Sequence, residues 1–206
     1  KDLETLRGLV RESDVFSQGY RPGTLGGRGL SPEALAELRP GIIYVSLSAF
    51  SHVGPWASRR GFDTVVQTVS GITSRQGDLF PGVTPGPQFY PVSAIDSLTG
   101  YLMAFGGVVA LNKRVNEGGS WLVRISLAQV GRWLLSHGEI PAADLKNVPA
   151  EFTPEEIASW STVSETPMGK LGHLAPVLGL SETSPRWARP SVPLGHHDPV
   201  WPERLK

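Results

Sequence analysis

The sequence predicts an α/β domain on a largely parallel sheet, followed by an extended, Pro-rich C-terminal tail. Three observations carry that reading. Helical and strand-like patterns alternate from the first residues to about His137. The best strand, Ile42 to Leu47 (IIYVSL), is an apolar run rich in β-formers. The longest helical pattern, Asp96 to about Asn116, is followed closely by an alternating strand pattern, Trp121 to Leu127.

The elements follow in order. Leu3, Leu6, Leu9 and Val10 fall at helical spacing with charges between them, an amphipathic helix. Asp14 to Ser17 (DVFS) reads as a short buried strand, and GYRPGTLGGRGL as a Gly-rich loop. Ser31-Pro-Glu-Ala-Leu starts a helix, with Ser at the N-cap, Pro at the first helical position and an acidic first turn. Pro40-Gly41 ends it before the IIYVSL strand. After the loop SAFSHVGPWASRRG, residues Phe62 to Ile72 carry Phe62, Val65, Val66 and Val69 on one helical face. Thr73 to Pro91 reads as a long Gly/Pro loop, which in a compact domain is functional or disordered. Gly118-Gly119 ends the long helix, and Ala128 to His137 forms another. From Gly138 the pattern changes. The expected organisation is an α/β domain over 1–137, a linker or remnant of a small domain over 138–164, and an extended segment over 165–206 that packs back on the large domain.

Composition narrows the function. Nineteen Lys+Arg balance nineteen Asp+Glu, so neither a basic nucleic-acid surface nor an acidic tail is expected. Cysteine is absent, which removes disulfides, thiolate metal sites and Cys nucleophiles and fits a cytoplasmic protein. The longest apolar run, Tyr101 to Leu111, is about half of the roughly 20 residues a membrane span needs. The chain opens Lys-Asp-Leu without a signal-peptide pattern, and reads as a segment of something longer.

A few residues could carry chemistry. Asp96 stands where the long Gly/Pro loop meets the long apolar helix. It reads either as an N-cap or as a reactive carboxylate. Gly100, Gly106 and Gly107 lie in that helix, where each costs about 1 kcal/mol relative to Ala, so something packs closely there, backbone or ligand. In the first Gly-rich loop, Arg21 and Arg28 are candidate phosphate contacts and Tyr20 a candidate base-stacking ring; the competing reading is an ordinary connection. Arg59-Arg60 before Gly61 is a second candidate clamp or a solvated pair. His196-His197-Asp198 lacks a third ligand in register, so no metal site is expected; His52, His137 and His173 stand alone. No G-x-S-x-G elbow supports a hydrolase triad.

Taken in order, these segments resemble the family III CoA-transferases, the group of formyl-CoA transferase and carnitine CoA-transferase. The first block runs from SDVFSQGYRPGTLGGRGL through GIIYVSLSAFSHVGP to RRGFDTVVQTVSG, the second is AIDSLTGYLMAFGGVVALNKRVNEGGSWLVRISLAQ, and the third is ETPMGKLGHLAPVLGLSETSPRWARPSVPLG. The likeness spans nearly the whole chain except roughly 138–164. It implies a Rossmann-like family fold, acyl-CoA and a carboxylic acid as substrates, and no tightly bound cofactor. It also implies a nucleophilic role for Asp96, the Asp of the family's GD..TG block, acting through an aspartyl anhydride and an aspartyl-CoA thioester. CoA contacts are implied for Tyr20, Arg21, Arg28 and Arg60, and Asp63 is assigned a structural place beside the site.

Two departures stand out. Gly19 replaces an Asn of the family's ENFRPG block, and Gly61-Phe62-Asp63 stands where racemase relatives carry G-H-D. Racemisation needs a base on each face of the α-carbon, and Phe62 is none, so transfer outranks racemase or isomerase chemistry. A non-catalytic half domain that completes a partner's fold is the other alternative. Family members run to about twice this length, so the resemblance implies a C-terminal half whose partner is an interlocked second chain or a fused or separate N-terminal half.

Overall fold

The computed structural model describes residues 2–79, 85–141, 143–145, 147–149 and 151–202, and it divides the chain into two compact units, residues 1–144 and 145–206. The first unit holds a three-stranded, all-parallel sheet in the order β1 (Val15–Gln18), β2 (Ile43–Ser48), β3 (Trp121–Ser126). Helices pack on both sheet faces. On one, α1 (Asp2–Arg11) and α2 (Pro32–Leu38) close a core of Val10, Leu30, Leu35, Ile42 and Tyr44. On the other, α5 (Ala94–Glu117) lays Ala110, Met103 and Leu111 on Ile43, Val45, Trp121 and Val123. A third cluster joins α3 (Asp63–Val69), α4 (Ile72–Leu79), the start of α5 and α6 (Leu127–Ser136) through Val66, Ile72, Ile95, Leu127 and Val130.

Local chemistry explains most boundaries. Ser31 caps α2 by accepting the Ala34 N–H (3.2 Å), as the Ser-Pro-Glu pattern predicts. Ser126 plays the same part for α6, accepting the Gln129 N–H, so β3 runs into α6 without a loop. Gly118 and Gly119 both take positive φ (72° and 75°), the region that costs Gly least, and turn α5 back into β3. Because α5 leads so directly into the first residue of β3, it runs antiparallel to the strands. Its N-terminus therefore lies at the C-terminal edge of the sheet, the edge where parallel α/β folds place ligands.

Four sequence expectations change. β1 is an edge strand with a half-exposed pattern, not a buried one: among the described residues it pairs with β2 alone, leaving Val15 39% exposed. The stretch expected as loop from Thr73 to Pro91 begins as helix α4 over Ile72–Leu79, set off from α3 by Gly71 at φ 81°; residues 80–84 of it lie outside the described residues. The α3 face was misassigned. Asp63, Val66 and Gln67 are buried, whereas Phe62, Val65 and Val69 are exposed, because a polar pair does the inward work described below. Of the three α5 glycines only Gly106 is pressed on the sheet: a Cβ there would stand 2.7 Å from Val123 Cγ1, whereas one on Gly107 would make an ordinary 3.8 Å contact with Val45 Cγ2 and Gly100 faces open space.

That contrast predicts opposite outcomes at two glycines. On α4, a Cβ at Gly77 would overlap the backbone carbonyl of Gly86, which has no rotamer to yield. Gly77→Ala is expected to destabilise by about 1–3 kcal/mol, a melting temperature lower by several degrees. Gly100→Ala adds a methyl where nothing stands within 4 Å, and gains up to about 1 kcal/mol of helix propensity. Thermal melts of both variants test the pair; equal shifts would contradict the packing.

By length and composition α5 is long and apolar enough to cross a membrane. Its inner face is occupied by the sheet, and Lys113, Arg114 and Glu117 mark its last turns. Arg114 also ties the start of β1 to the turn before β2, through Asp14 Oδ1 (3.1 Å) and the Gly41 carbonyl (3.0 Å). These contacts make α5 a sheet-covering helix.

The second unit contains α7 (Pro154–Trp160) and an antiparallel hairpin, β4 (Ser161–Thr166) with β5 (Gly169–Leu174). Thr153 and Glu156 form a reciprocal capping box at the start of α7. The sequence reading placed a break at 164/165 and an extended chain beyond it; the hairpin runs across that point, since Ser161 pairs with Leu174 and Thr166 with Gly169. No described residue of this unit is fully buried.

Candidate active site

Asp96 is the third residue of α5, not its N-cap; Ser93 holds the cap position and makes no side-chain capping bond. The backbone N–H of Asp96 is satisfied from outside the helix: it donates to Asp63 Oδ2 at 3.0 Å. Asp63 is 3% exposed. Its other oxygen accepts from Gln67 Nε2 one turn along α3, and Gln67 Oε1 accepts the Tyr90 N–H (3.0 Å). One buried carboxylate–amide pair thus fastens α3, the segment before α5 and the first turn of α5 together, and fixes Asp96. A buried carboxylate is tolerated because both of its oxygens have donors.

Asp96 itself lies at the surface of this unit. Partial burial, and secondly the negative charge of Asp63, raise its pKa above the ordinary aspartate range. The positive end of the 24-residue helix acts in the opposite direction and favours the anion. A carboxylate of raised basicity is a stronger nucleophile once ionised. Gly61 brings the chain entering α3 close to the end of β2: a Cβ there would stand 2.8 Å from Ala49 Cβ and 2.9 Å from Phe50 Cε2. This approach sets Asp63 beneath Asp96.

The remaining sequence-selected residues are spread along the loops at this edge. Tyr20, 64% exposed, and Arg28 border one groove of about 500 Å³ beside β1, with Leu6, Phe16 and Leu25. Arg21 opens on a separate pocket of about 190 Å³. Neither space includes Asp96 or Arg60. Arg60 is exposed just before Gly61, and its neighbour Arg59 stacks over Trp56 (4.6 Å to the ring centre). The structure of this chain therefore brings Asp63 to Asp96, and leaves Tyr20, Arg21, Arg28 and Arg60 on neighbouring loops.

Sequence reasoning missed Gln67, Gln18, His52 and Arg124. Gln18, His52 and Arg124 gather on the sheet face opposite α5, and His52, read from sequence as a lone histidine, hydrogen-bonds Ser46 Oγ at 2.8 Å. The available signal was polar residues inside strand patterns: Ser46 and Ser48 in IIYVSLS, and Arg124 in WLVRIS. Ser51, immediately before His52, is the one non-glycine residue at positive φ (90°) among the described residues, and that turn folds His52 back over β2. Among the described residues, no three His, Asp or Glu side chains converge as a metal site would require.

Asp96 is thus a carboxylate fixed at a helix start, on the C-terminal edge of a parallel α/β sheet, the edge where such folds bind ligands. The sequence matches the description CoA-transferase family III over residues 1–196, and the chain belongs to that family. It is 30% identical to a succinyl-CoA–D-citramalate CoA-transferase of Chloroflexus aurantiacus, an alignment covering 91% of this chain and 50% of the relative. Its fold is similar to the crystal structure of a CaiB/BaiF family protein from Brucella suis (TM-score 0.60, 25% identity, covering 82% of this chain and 44% of the other). It is also similar to that of an aspartate-to-alanine mutant of a Mycobacterium tuberculosis protein (TM-score 0.59, 30% identity, covering 66% and 36%). The chain spans half the length of the Chloroflexus relative.

Proposed function

We propose that this chain supplies the nucleophile and part of the CoA site of a CoA-transferase that moves CoA from an acyl-CoA thioester to a carboxylic acid. The observation that carries the reading is Asp96 at the head of α5, its backbone held by the buried Asp63. The reaction needs neither metal nor thiol from the protein. An Asp96 oxygen attacks the thioester carbonyl and expels CoA thiolate, leaving an acyl-aspartyl anhydride. The thiolate attacks the Asp96 carbonyl of that anhydride, releases the donor acid as its carboxylate and leaves an aspartyl-CoA thioester. The acceptor carboxylate attacks this thioester and again frees the thiolate. Attack of the thiolate on the acceptor's carbonyl then yields the new acyl-CoA and regenerates Asp96. Tyr20, Arg21, Arg28 and Arg60 are the proposed CoA contacts, and the site is proposed to act in the cytoplasm without a tightly bound cofactor.

The test is chemical. Mixed with an acyl-CoA and quenched with hydroxylamine, the assembled protein is expected to yield a hydroxamate at Asp96, read by peptide mass. A label on any other residue, or none, would sink the assignment. Because the carboxylate must be ionised to attack, and burial and Asp63 hold its pKa up, trapping is expected to fail on the acid side at a pH above the ordinary aspartate range. A rate that stays flat down to that range would contradict it.

Surfaces on this chain support a partner. The outer edge of β1 carries no further strand among the described residues, Tyr101, Phe105, Val108 and Val109 of α5 are exposed, and so are Phe62, Val65 and Val69 around α3. Such apolar faces mark contact sites. An interlocked second copy or an N-terminal half-chain is the proposed occupant. Phe62, 78% exposed and without a proton to transfer, argues against the racemase alternative. The non-catalytic half-domain alternative is separated from ours by the hydroxamate at Asp96.

A further inference from the structure

The sheet face opposite α5 carries Gln18, Ser46 and Arg124 in one row, because Gln18 is in register with Ser46 and Ser46 with Arg124. Gln18 Nε2 donates to Ser46 Oγ at 2.6 Å. The single hydroxyl proton of Ser46 is then free to go to His52 Nε2, 2.8 Å away. That assigns the His52 proton to Nδ1, which faces Ser48 Oγ at 3.5 Å. Burial, then the nearby charge of Arg124, lower the His52 pKa, so the ring is neutral in this relay. Gln18 Oε1 also accepts the Tyr20 N–H (2.7 Å), so the relay reaches into the loop that carries Arg21.

Above this row is the pocket of about 190 Å³, lined among others by Arg21, Arg124, His52, Ser46 and Tyr44. Neither guanidinium has a hydrogen bond or ion pair among the described residues, and no carboxylate lines the pocket. The nearest acidic influence is Glu33 at the start of α2, which feels Arg124 at longer range and is held chiefly by its own backbone and Ser31. Two unpaired guanidinium groups over a neutral polar floor match a compact dianion. A monocarboxylate offers two oxygens, which one arginine satisfies; a phosphoryl group offers a third oxygen and a second charge. The pocket is on the sheet face away from α5, so it does not hold the carbon that Asp96 attacks.

We propose that Arg21 and Arg124 form a two-guanidinium subsite for a phosphoryl group, seated on the Gln18–Ser46–His52 relay. Arg124 is the new element. The CoA reading enters only in naming CoA as the molecule that carries the phosphoryl group; inorganic pyrophosphate presents the same chemistry without it.

The experiment is equilibrium titration of this chain with pyrophosphate, CoA and pantetheine, for the wild type, Arg124→Gln and Arg124→Lys. The wild type is expected to bind pyrophosphate and CoA. Arg124→Gln is expected to weaken both by about 10- to 100-fold, Arg124→Lys by less, and neither to change pantetheine binding. Arg124 is exposed and the substitution keeps a polar side chain; should that variant not fold, Arg21→Gln must show the same selective loss. Unchanged pyrophosphate affinity in Arg124→Gln, or no pyrophosphate binding by the wild type, overturns the subsite. Arg124-dependent binding of pyrophosphate without binding of CoA upholds the subsite and removes the CoA reading instead.

Discussion

Under the proposed reaction, Asp96→Asn is expected to abolish acyl transfer by the assembled protein and to leave the fold at least as stable as before. Asn keeps the shape of the side chain and the backbone N–H that Asp63 accepts, so the first turn of α5 stays in place. What is lost is the carboxylate, the proposed nucleophile. Removing a covalent nucleophile costs on the order of 10⁴- to 10⁶-fold in turnover. The stability sign follows from linkage. Asp96 has its folded pKa raised, so its favourable contribution is present below the unfolded pKa and is lost as pH rises through the folded one. At neutral pH the wild type therefore carries an ionised Asp96 that burial and Asp63 disfavour, and Asn relieves it. Urea midpoints for the two proteins should favour the variant at pH 7 and converge as pH falls through the Asp96 titration. Activity within about tenfold of wild type would remove Asp96 from the chemistry, and a large loss of stability would reduce it to a structural cap.

Asp63→Ala has the reverse signature. It strips acceptors from Gln67 Nε2 and the Asp96 N–H and leaves space in a site that is 3% exposed. Stranding two buried donors is expected to destabilise by about 2–4 kcal/mol, or a urea midpoint lower by about 1–2 M. Asn is an incomplete rescue, because its amide offers one acceptor where two donors converge. Removing the Asp63 charge also removes one of the two causes that raise the Asp96 pKa, so the acid limb of any remaining activity moves to lower pH. That movement distinguishes a residue that positions and tunes Asp96 from one that only packs. An Asp63→Ala protein with unchanged stability would contradict the capping contact.

The legible features were those set by neighbours along the chain. Ser31-Pro32-Glu33 marks a helix start because the cap bond spans three residues, and Gly118-Gly119 marks an end because the chain must turn through positive φ there. IIYVSL is buried as read, since a central strand needs apolar side chains on both faces. The α3 reading failed for a specific reason. Periodicity assigns apolar residues inward, yet the inner face holds Asp63 and Gln67, which reach α5 across 33 residues of sequence and the Tyr90 amide across 23. No local pattern encodes an acceptor whose donor is that distant.

The sequence by itself determined that this is an α/β chain, that its central strand is buried, and that Asp96 stands at the start of its longest helix. Ordered motif blocks were enough to point to family III of the CoA-transferases. The tertiary structure alone decided what holds Asp96 and what surrounds it. Asp63, buried because both its oxygens are satisfied, takes the place of an N-cap side chain. Gln18, Ser46 and Arg124 become neighbours only once three parallel strands come into register. Hydrophobic periodicity is a property of adjacent residues, whereas a hydrogen-bonded site depends on distances that exist only after the chain has closed on itself.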